Sequence, residues 1–127
     1  MAPERPFPAT LDDASSALQW VVDNKDQVSV DPACIAIGGI SAGGSLALYV
    51  RDKTDIQLAF QLLLCMMVDD RCVTASGHMI TDKRVWNRDS NLSGWKNYLH
   101  GDKNPQQQPY KAVSEYTAAS RTTRLVL

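Results

Sequence analysis

A five-residue pattern, Gly-Ile-Ser-Ala-Gly at positions 39–43, constrains the fold more than any other feature of the chain. An apolar run rich in β-branched residues precedes it over residues 33–38, and an apolar segment of helical character follows over residues 45–53. A serine between small residues, placed between a buried strand and a helix, is typical of the sharp turn that carries the nucleophile of a serine hydrolase. The pattern therefore predicts a strand, a tight turn through Ser41 and a helix.

The chemistry of a serine nucleophile indicates what this turn has to supply. A serine hydroxyl needs an exposed position, a neighbouring base and backbone N–H donors aimed at the developing oxyanion. We expect Ser41 to be catalytic, Ala42 to provide one oxyanion N–H, and Gly39, Gly43 and Gly44 to form the turn, with Gly39 and Gly43 avoiding side-chain clashes. The alternatives are a glycine turn that only packs or one that binds phosphate, although neither Gly-Lys-Ser/Thr nor G-x-G-x-x-G is present.

Hydrophobic periodicity places this turn in an α/β fold. Apolar residues at spacings of three and four predict a helix that follows a cap at Thr10 or Asp12 and runs to about residue 27. Asp31-Pro32 predicts a turn, and residues 58–67 predict a second strand, buried like the first. The order helix, strand, turn, helix, strand is typical of a parallel sheet with flanking helices.

The remainder of the chain is more polar, and it sets the expected domain organisation. Residues 69–94 are expected to be irregular with Trp86 and Trp95 as anchors, residues 91–100 to be helical, and residues 110–127 to remain ambiguous. We expect one incomplete domain over residues 1–127, with a core at about 10–68 and a loop and helix region at about 69–127. The two confident strands do not bury enough surface to stand alone, and their open edges favour association.

Composition excludes several functions. The net charge is −1 and no Lys/Arg cluster is present, so we expect neither nucleic acid nor an anionic membrane surface as a partner. No apolar run is long enough to span a bilayer, and residues 1–6 do not resemble a signal peptide. Three cysteines without a C-x-x-C pattern favour a reduced, cytoplasmic protein with no disulfide and no metal site.

Three segments resemble one known family. They are the Ala-Pro-Glu-Arg-Pro-Phe-Pro-Ala-Thr-Leu-Asp-Asp stretch at 2–13, the Val-Asp-Pro stretch at 30–32 with Ile-Ala-Ile-Gly-Gly-Ile-Ser-Ala-Gly-Gly at 35–44, and the strand and loop at 61–71. In order and spacing they resemble the hormone-sensitive-lipase group of α/β-hydrolases, the fold-3 esterases, over nearly the whole chain. The resemblance implies an esterase or lipase that acts on small acyl esters without a cofactor, with the Ser41 hydroxyl attacking the ester carbonyl.

The same resemblance implies that several of the family's catalytic residues are to be expected outside this chain. The family's H-G-G-G oxyanion loop lies upstream of the matched segment, and its catalytic Asp and His lie downstream. Neither His78 nor His100 matches the family's catalytic histidine, and Ile40 replaces an acidic residue beside the serine. We therefore expect the central part of an α/β-hydrolase, inactive as an isolated chain.

Three alternatives stay open. One is a rewired triad of Ser41, His100 and one of four carboxylates, which are Asp69, Asp70, Asp82 and Asp89. Another is a non-catalytic remnant that associates through exposed sheet edges, with itself or with a related hydrolase. The third is that the sequence is one part of a longer, active enzyme.

Overall fold

Parallel strands form the centre of the fold, as the sequence predicts. The computed structural model describes residues 2–99 and 125–126. In chain order its elements are α1 (Ala9–Asp23), α2 (Lys25–Val28), a 3-10 turn (Pro32–Cys34), β1 (Ala36–Ile40), α3 (Ala42–Lys53), β2 (Phe60–Leu64), α4 (Ala75–Met79), α5 (Arg88–Tyr98) and β3 (Leu125–Val126). The sheet has the order β1-β2-β3, with both pairings parallel. The predicted α/β class with a parallel sheet and flanking helices is confirmed.

The first helix begins earlier than predicted, and its expected caps are wrong. The carbonyl oxygen of Pro8 accepts from the backbone N–H groups of Leu11 and Asp12 at 2.8 and 3.0 Å, so the helix already includes Thr10 and Asp12. No side chain caps it. The helix then breaks at Asn24, whose side-chain amide donates to the Trp20 carbonyl at 2.9 Å and competes with the helical pattern. The predicted single helix is therefore two, α1 and α2.

Strand β1 starts later than predicted because a capped turn precedes it. The Asp31 carboxylate accepts from the Ala33 N–H at 2.9 Å, and residues 32–34 form the 3-10 turn where a strand was expected. The strand instead extends through Gly39 to Ile40. Helix α3 begins at Ala42, three residues before its predicted start. The turn predicted over residues 38–44 is therefore reduced to the single residue Ser41.

The two faces of the sheet have different environments. Gln61 and Leu63 are buried on the face against α3, where the Gln61 amide donates to the Ala47 carbonyl at 3.1 Å. On the other face Phe60, Leu62 and Leu64 are 49%, 45% and 43% exposed. The expectation that both strands are buried is therefore wrong for one face, because the described helices pack on the Leu63 side. The core on that side comprises Leu11, Ala47, Leu48, Tyr49, Val50, Leu63, Cys72 and Trp95.

The region after β2 contains more helix than predicted. Thr74 caps α4 by accepting from the Gly77 N–H at 3.1 Å. Asn87 caps α5 by accepting from the Ser90 N–H at 3.0 Å, which moves the helix start to residue 88. Trp95 is buried, as expected of an anchor, whereas Trp86 is 58% exposed. Polar caps, which the apolar periodicity does not register, therefore set the structure of this region.

Candidate active site

Ser41 has an unusual backbone conformation between β1 and α3. Its φ and ψ are 55° and −120°, a region that side-chain-bearing residues rarely adopt. Its N–H donates to the Leu64 carbonyl at 2.9 Å, and its own carbonyl accepts from the Ser45 N–H at 3.2 Å. The residue is exposed at the carboxyl end of the strand. The chain thus reverses direction at Ser41, with the amide bonded to the sheet and the carbonyl bonded to the helix.

The glycines around Ser41 have separate roles. A Cβ atom on Gly39 would overlap the carbonyl group of Gly43 and lie 2.7 Å from the nitrogen of Gly44. A Cβ atom on Gly44 would lie 3.0 Å from the Gly39 carbonyl oxygen and from the Cβ of Met66. Apart from its chain neighbours and the backbone of its own helix, a Cβ atom on Gly43 would have no atom of the described residues within 4 Å. Close approach therefore requires glycine at 39 and restricts residue 44, whereas the clash expected at Gly43 is absent.

Ser45 joins the turn to the loop after β2. Its side chain is 3% exposed, and its hydroxyl makes a short hydrogen bond to the Met67 carbonyl. The same oxygen lies 3.3 Å from the Ser41 carbonyl, which also accepts from the Met67 N–H at 3.3 Å. The sequence suggested only a core-filling role for Met67 at the strand end and no role for Ser45 beyond the start of a helix. A hydroxyl at the start of an otherwise apolar helix was the one sign of this link.

Ala42 is the first residue of α3, and it is exposed. The N–H groups of the first helical turn have no acceptor within the helix, so they are available to an anion. The N–H of Ala42 directly follows Ser41, the position that an oxyanion donor requires. Its role as an oxyanion donor stays a prediction.

Two cavities lie beside the turn and share a wall. Ser41 lines one of about 450 Å³, together with Asp69, Cys72 and Arg88. Ala42 and Gly43 line the other, which has a volume of about 400 Å³. Both are bounded by Met67, Trp86 and Trp95. The nucleophile candidate and the oxyanion-donor candidate therefore line adjoining spaces that have these three residues in common.

The acidic candidates are engaged in other contacts or lie outside this cavity. Asp69 lines it but pairs with Arg71, whose Nε lies 2.7 Å from a carboxylate oxygen. Asp70 is buried, and it does not line the cavity. The Arg84 side chain donates to the Asp82 carboxylate, and so does the Arg84 backbone N–H. These two hydrogen bonds hold the pKa of Asp82 below its usual range. Of the predicted carboxylates, only Asp69 is brought into the Ser41 cavity.

The histidine candidates are not brought to Ser41 by the described residues. His78 is exposed on α4 and does not line the Ser41 cavity. His100 lies outside the described residues. Within residues 2–99, no group of three His, Cys, Asp or Glu side chains is placed to hold a metal ion. The site therefore consists of a serine, one candidate N–H donor and two cavities, without a base from this part of the chain.

A strand, a tight turn through an exposed serine and a helix on a parallel sheet define the α/β-hydrolase class. The sequence model described as alpha/beta hydrolase fold matches residues 1–126, so the chain belongs to that family. The carboxylesterase NlhH of Mycobacterium tuberculosis is 45% identical over 67 residues, which are 50% of this chain and 21% of that protein.

Solved structures agree with this family. The structure of a bacterial heroin esterase is similar, with a TM-score of 0.78 and 35% sequence identity. The match covers 97% of this chain and 39% of the esterase chain. The structure of an esterase from the bacterial hormone-sensitive lipase family is also similar, with a TM-score of 0.67 and 31% sequence identity. That match covers 86% of this chain and 37% of the esterase chain. The predicted resemblance to the hormone-sensitive-lipase group is confirmed. The chain spans about a fifth to two-fifths of the length of these relatives.

Proposed function

We propose that this protein is a carboxylic-ester hydrolase in which Ser41 is the nucleophile and the Ala42 N–H is one oxyanion donor. The observation that carries the proposal is the backbone of Ser41, with φ 55° and ψ −120° at an exposed position on the edge of a 450 Å³ cavity. Such a conformation costs about 1–3 kcal/mol, and it persists only where the surrounding structure imposes it, most often at active sites. The relatives named carboxylesterase or esterase support the same chemistry.

The proposed reaction has two halves. The Oγ of Ser41 attacks the ester carbonyl, its proton passes to a base, and the resulting oxyanion accepts from the Ala42 N–H. Collapse breaks the bond to the alcohol oxygen, which takes the proton from the base and leaves an acyl-serine. Water then attacks the acyl-serine with the same base and releases the acid. No cofactor takes part in this scheme, and the base is supplied by residues other than 2–99.

A chimera tests the assignment of Ser41. Residues 9–99 would replace the matching segment of the bacterial heroin esterase, and hydrolysis of p-nitrophenyl acetate would be measured. We expect a chimera with native circular dichroism to hydrolyse the ester, and Ser41→Ala to lower kcat/KM by at least about a thousandfold. Ser93→Ala, at an exposed position of α5, is the matched control. Full activity of the Ser41→Ala chimera would overturn the assignment.

We also propose that the 127-residue chain alone does not turn over esters. The proposal is supported by the described residues, which bring no histidine to the Ser41 cavity. The chain and its Ser41→Ala variant should therefore hydrolyse p-nitrophenyl acetate at equal rates. Turnover that Ser41→Ala removes would contradict this, and its further loss in His100→Ala would support the rewired triad.

A second candidate function is self-association of the chain through its sheet. Phe60, Leu62 and Leu64 form an exposed apolar row on one face, and within the described residues β1 pairs only with β2. Exposed apolar patches and free strand edges favour pairing with another copy. Size-exclusion chromatography with light scattering should show a dimer or larger species that Leu62→Glu shifts toward monomer. A monomeric wild-type chain would exclude this candidate.

A cytoplasmic location is likewise a proposal. It is supported by Cys34, Cys65 and Cys72, which are all free thiols in the structure. No helix within residues 2–99 is long and apolar enough to cross a membrane.

A further inference from the structure

An arginine lines the cavity that Ser41 also lines. Arg88 is the first residue of α5, and it borders this cavity together with Asn87 and Asn91. Its Nη1 donates to the Cys72 carbonyl at 3.1 Å, and its backbone N–H donates to the Ile80 carbonyl at 2.9 Å. The side chain is half-buried. Arg88 is thus tied to the wall of the cavity rather than extended into solvent.

The charge of Arg88 is not neutralised by the described part of the chain. The ion pairs of the described residues join Arg51 to Asp52, Arg71 to Asp69 and Arg84 to Asp82, and none of them includes Arg88. Asp69 is the one carboxylate that lines the cavity, and Arg71 binds both of its oxygens, at 2.7 and 3.2 Å. A partly buried cation without an anionic partner favours binding of an anion.

The rest of the lining indicates the kind of anion. Met67, Ile80, Trp86 and Trp95 supply apolar surface, and the volume of about 450 Å³ lies within the range of small-molecule sites. A largely apolar lining that holds one arginine, and whose one carboxylate is already bound by Arg71, suits a ligand with an apolar body and one negative group. Arginine binds carboxylates through two parallel N–H donors, which adds geometric selectivity.

From this arrangement we infer that Arg88 makes the site selective for esters that carry a free carboxylate, such as monoesters of dicarboxylic acids. The step from binding to turnover rests on the proposed function of Ser41, whereas the binding preference does not. Ser41 and Arg88 line one space, so a single ligand can present its ester to the Ser41 hydroxyl and its carboxylate to the Arg88 guanidinium.

Binding of two matched ligands tests the inference without requiring activity. Monobenzyl succinate carries one carboxylate, and benzyl methyl succinate is its neutral counterpart. Titrations of the 127-residue chain, followed by ligand-observed NMR, should give about tenfold tighter binding of the monoester, the effect of one charge-assisted hydrogen bond. Added salt should reduce the difference. Equal binding of both ligands, or no binding of either, would overturn the inference.

Variants locate the preference at one residue. Arg88→Gln should remove the preference for the monoester, and Arg88→Lys should retain part of that preference. Arg84→Gln is the matched control, because Arg84 is an exposed arginine paired with Asp82 outside the cavity. Circular dichroism would show that each variant is folded. An unchanged preference in folded Arg88→Gln would contradict the inference.

A further variant separates this inference from the proposed function. Ser41→Ala should bind the monoester as the wild type does. Catalytic failure of the chimera and loss of the carboxylate preference are therefore independent results.

Discussion

Gly39 packs so closely against the backbone of Gly43 that a Cβ atom at residue 39 would overlap the Gly43 carbonyl group. This contact brings the end of β1 against the first turn of α3 and fixes the reversal at Ser41. Because backbone atoms cannot move aside as a flexible side chain does, Gly39→Ala should lower the free energy of unfolding by about 3 kcal/mol or more. Urea denaturation followed by circular dichroism measures this change.

Gly43→Ala is the matched control for that prediction. A Cβ atom at residue 43 has open space around it, and alanine is the better helix former by about 1 kcal/mol. Gly43→Ala should therefore leave stability unchanged or raise it slightly. Equal losses in the two variants would show that the turn tolerates no side chain at either position, contrary to the structure.

The positive φ of Ser41 predicts an unequal response to two small replacements. Ser41→Ala keeps a side chain in the strained conformation, whereas Ser41→Gly relieves the strain. Although glycine also increases the entropy of the unfolded chain, we expect Ser41→Gly to be roughly 1 kcal/mol more stable than Ser41→Ala. Thermal unfolding monitored by calorimetry compares them directly. A more stable alanine variant would show that the backbone at this position is not strained.

The buried hydroxyl of Ser45 predicts coupling between the turn and the loop after β2. Ser45→Ala leaves the Met67 carbonyl without this donor, which should cost about 1–2 kcal/mol of stability. Hydrogen exchange should also become faster at the Met67 amide, which donates to the Ser41 carbonyl. Ser93→Ala should change neither quantity, because Ser93 is exposed. Unchanged exchange at Met67 in Ser45→Ala would argue against the link.

The exposed pair of Asp82 and Arg84 predicts that stability falls slightly at acidic pH. Hydrogen bonds from the Arg84 side chain, and then from its backbone N–H, hold the pKa of Asp82 below its usual range. A carboxyl whose pKa is depressed by folding contributes stability at neutral pH that is lost as pH falls through its folded-state pKa. The contribution is small because the pair is exposed.

NMR titration of the Asp82 carboxyl carbon measures this pKa. Arg84→Gln should raise it toward the usual range, whereas Lys83→Gln, one residue away, should leave it unchanged. An unaltered Asp82 titration in Arg84→Gln would show that the ion pair does not form in solution.

The sequence was most informative where local geometry and hydrophobicity agree. The apolar run at 33–38, the glycines and the apolar residues of α3 together predicted the strand, the turn at Ser41 and the helix. Glycine at 39 is required by a contact only four residues along the chain, which makes it visible in a local pattern. Helix starts at Ala9 and Arg88 were missed because Pro8 and Asn87 set them, and neither residue changes the apolar periodicity.

Long-range contacts limited the rest of the prediction. An unbroken apolar run such as residues 60–64 has no alternation to distinguish its two faces, and the structure leaves Leu62 exposed while it buries Leu63. The role of Arg88 depends on the Cys72 carbonyl and on a cavity shared with Ser41, 47 positions earlier in the sequence. No local pattern contains that relationship, so only the folded chain reveals it.

Trp86 borders both the space beside Ser41 and the space beside Ala42, and it is itself 58% exposed. Such a position is adjustable, because a smaller side chain there would enlarge two adjoining spaces of about 450 and 400 Å³ at the same time. The shape of the space around the serine turn therefore depends in part on a surface residue that lies outside the turn itself.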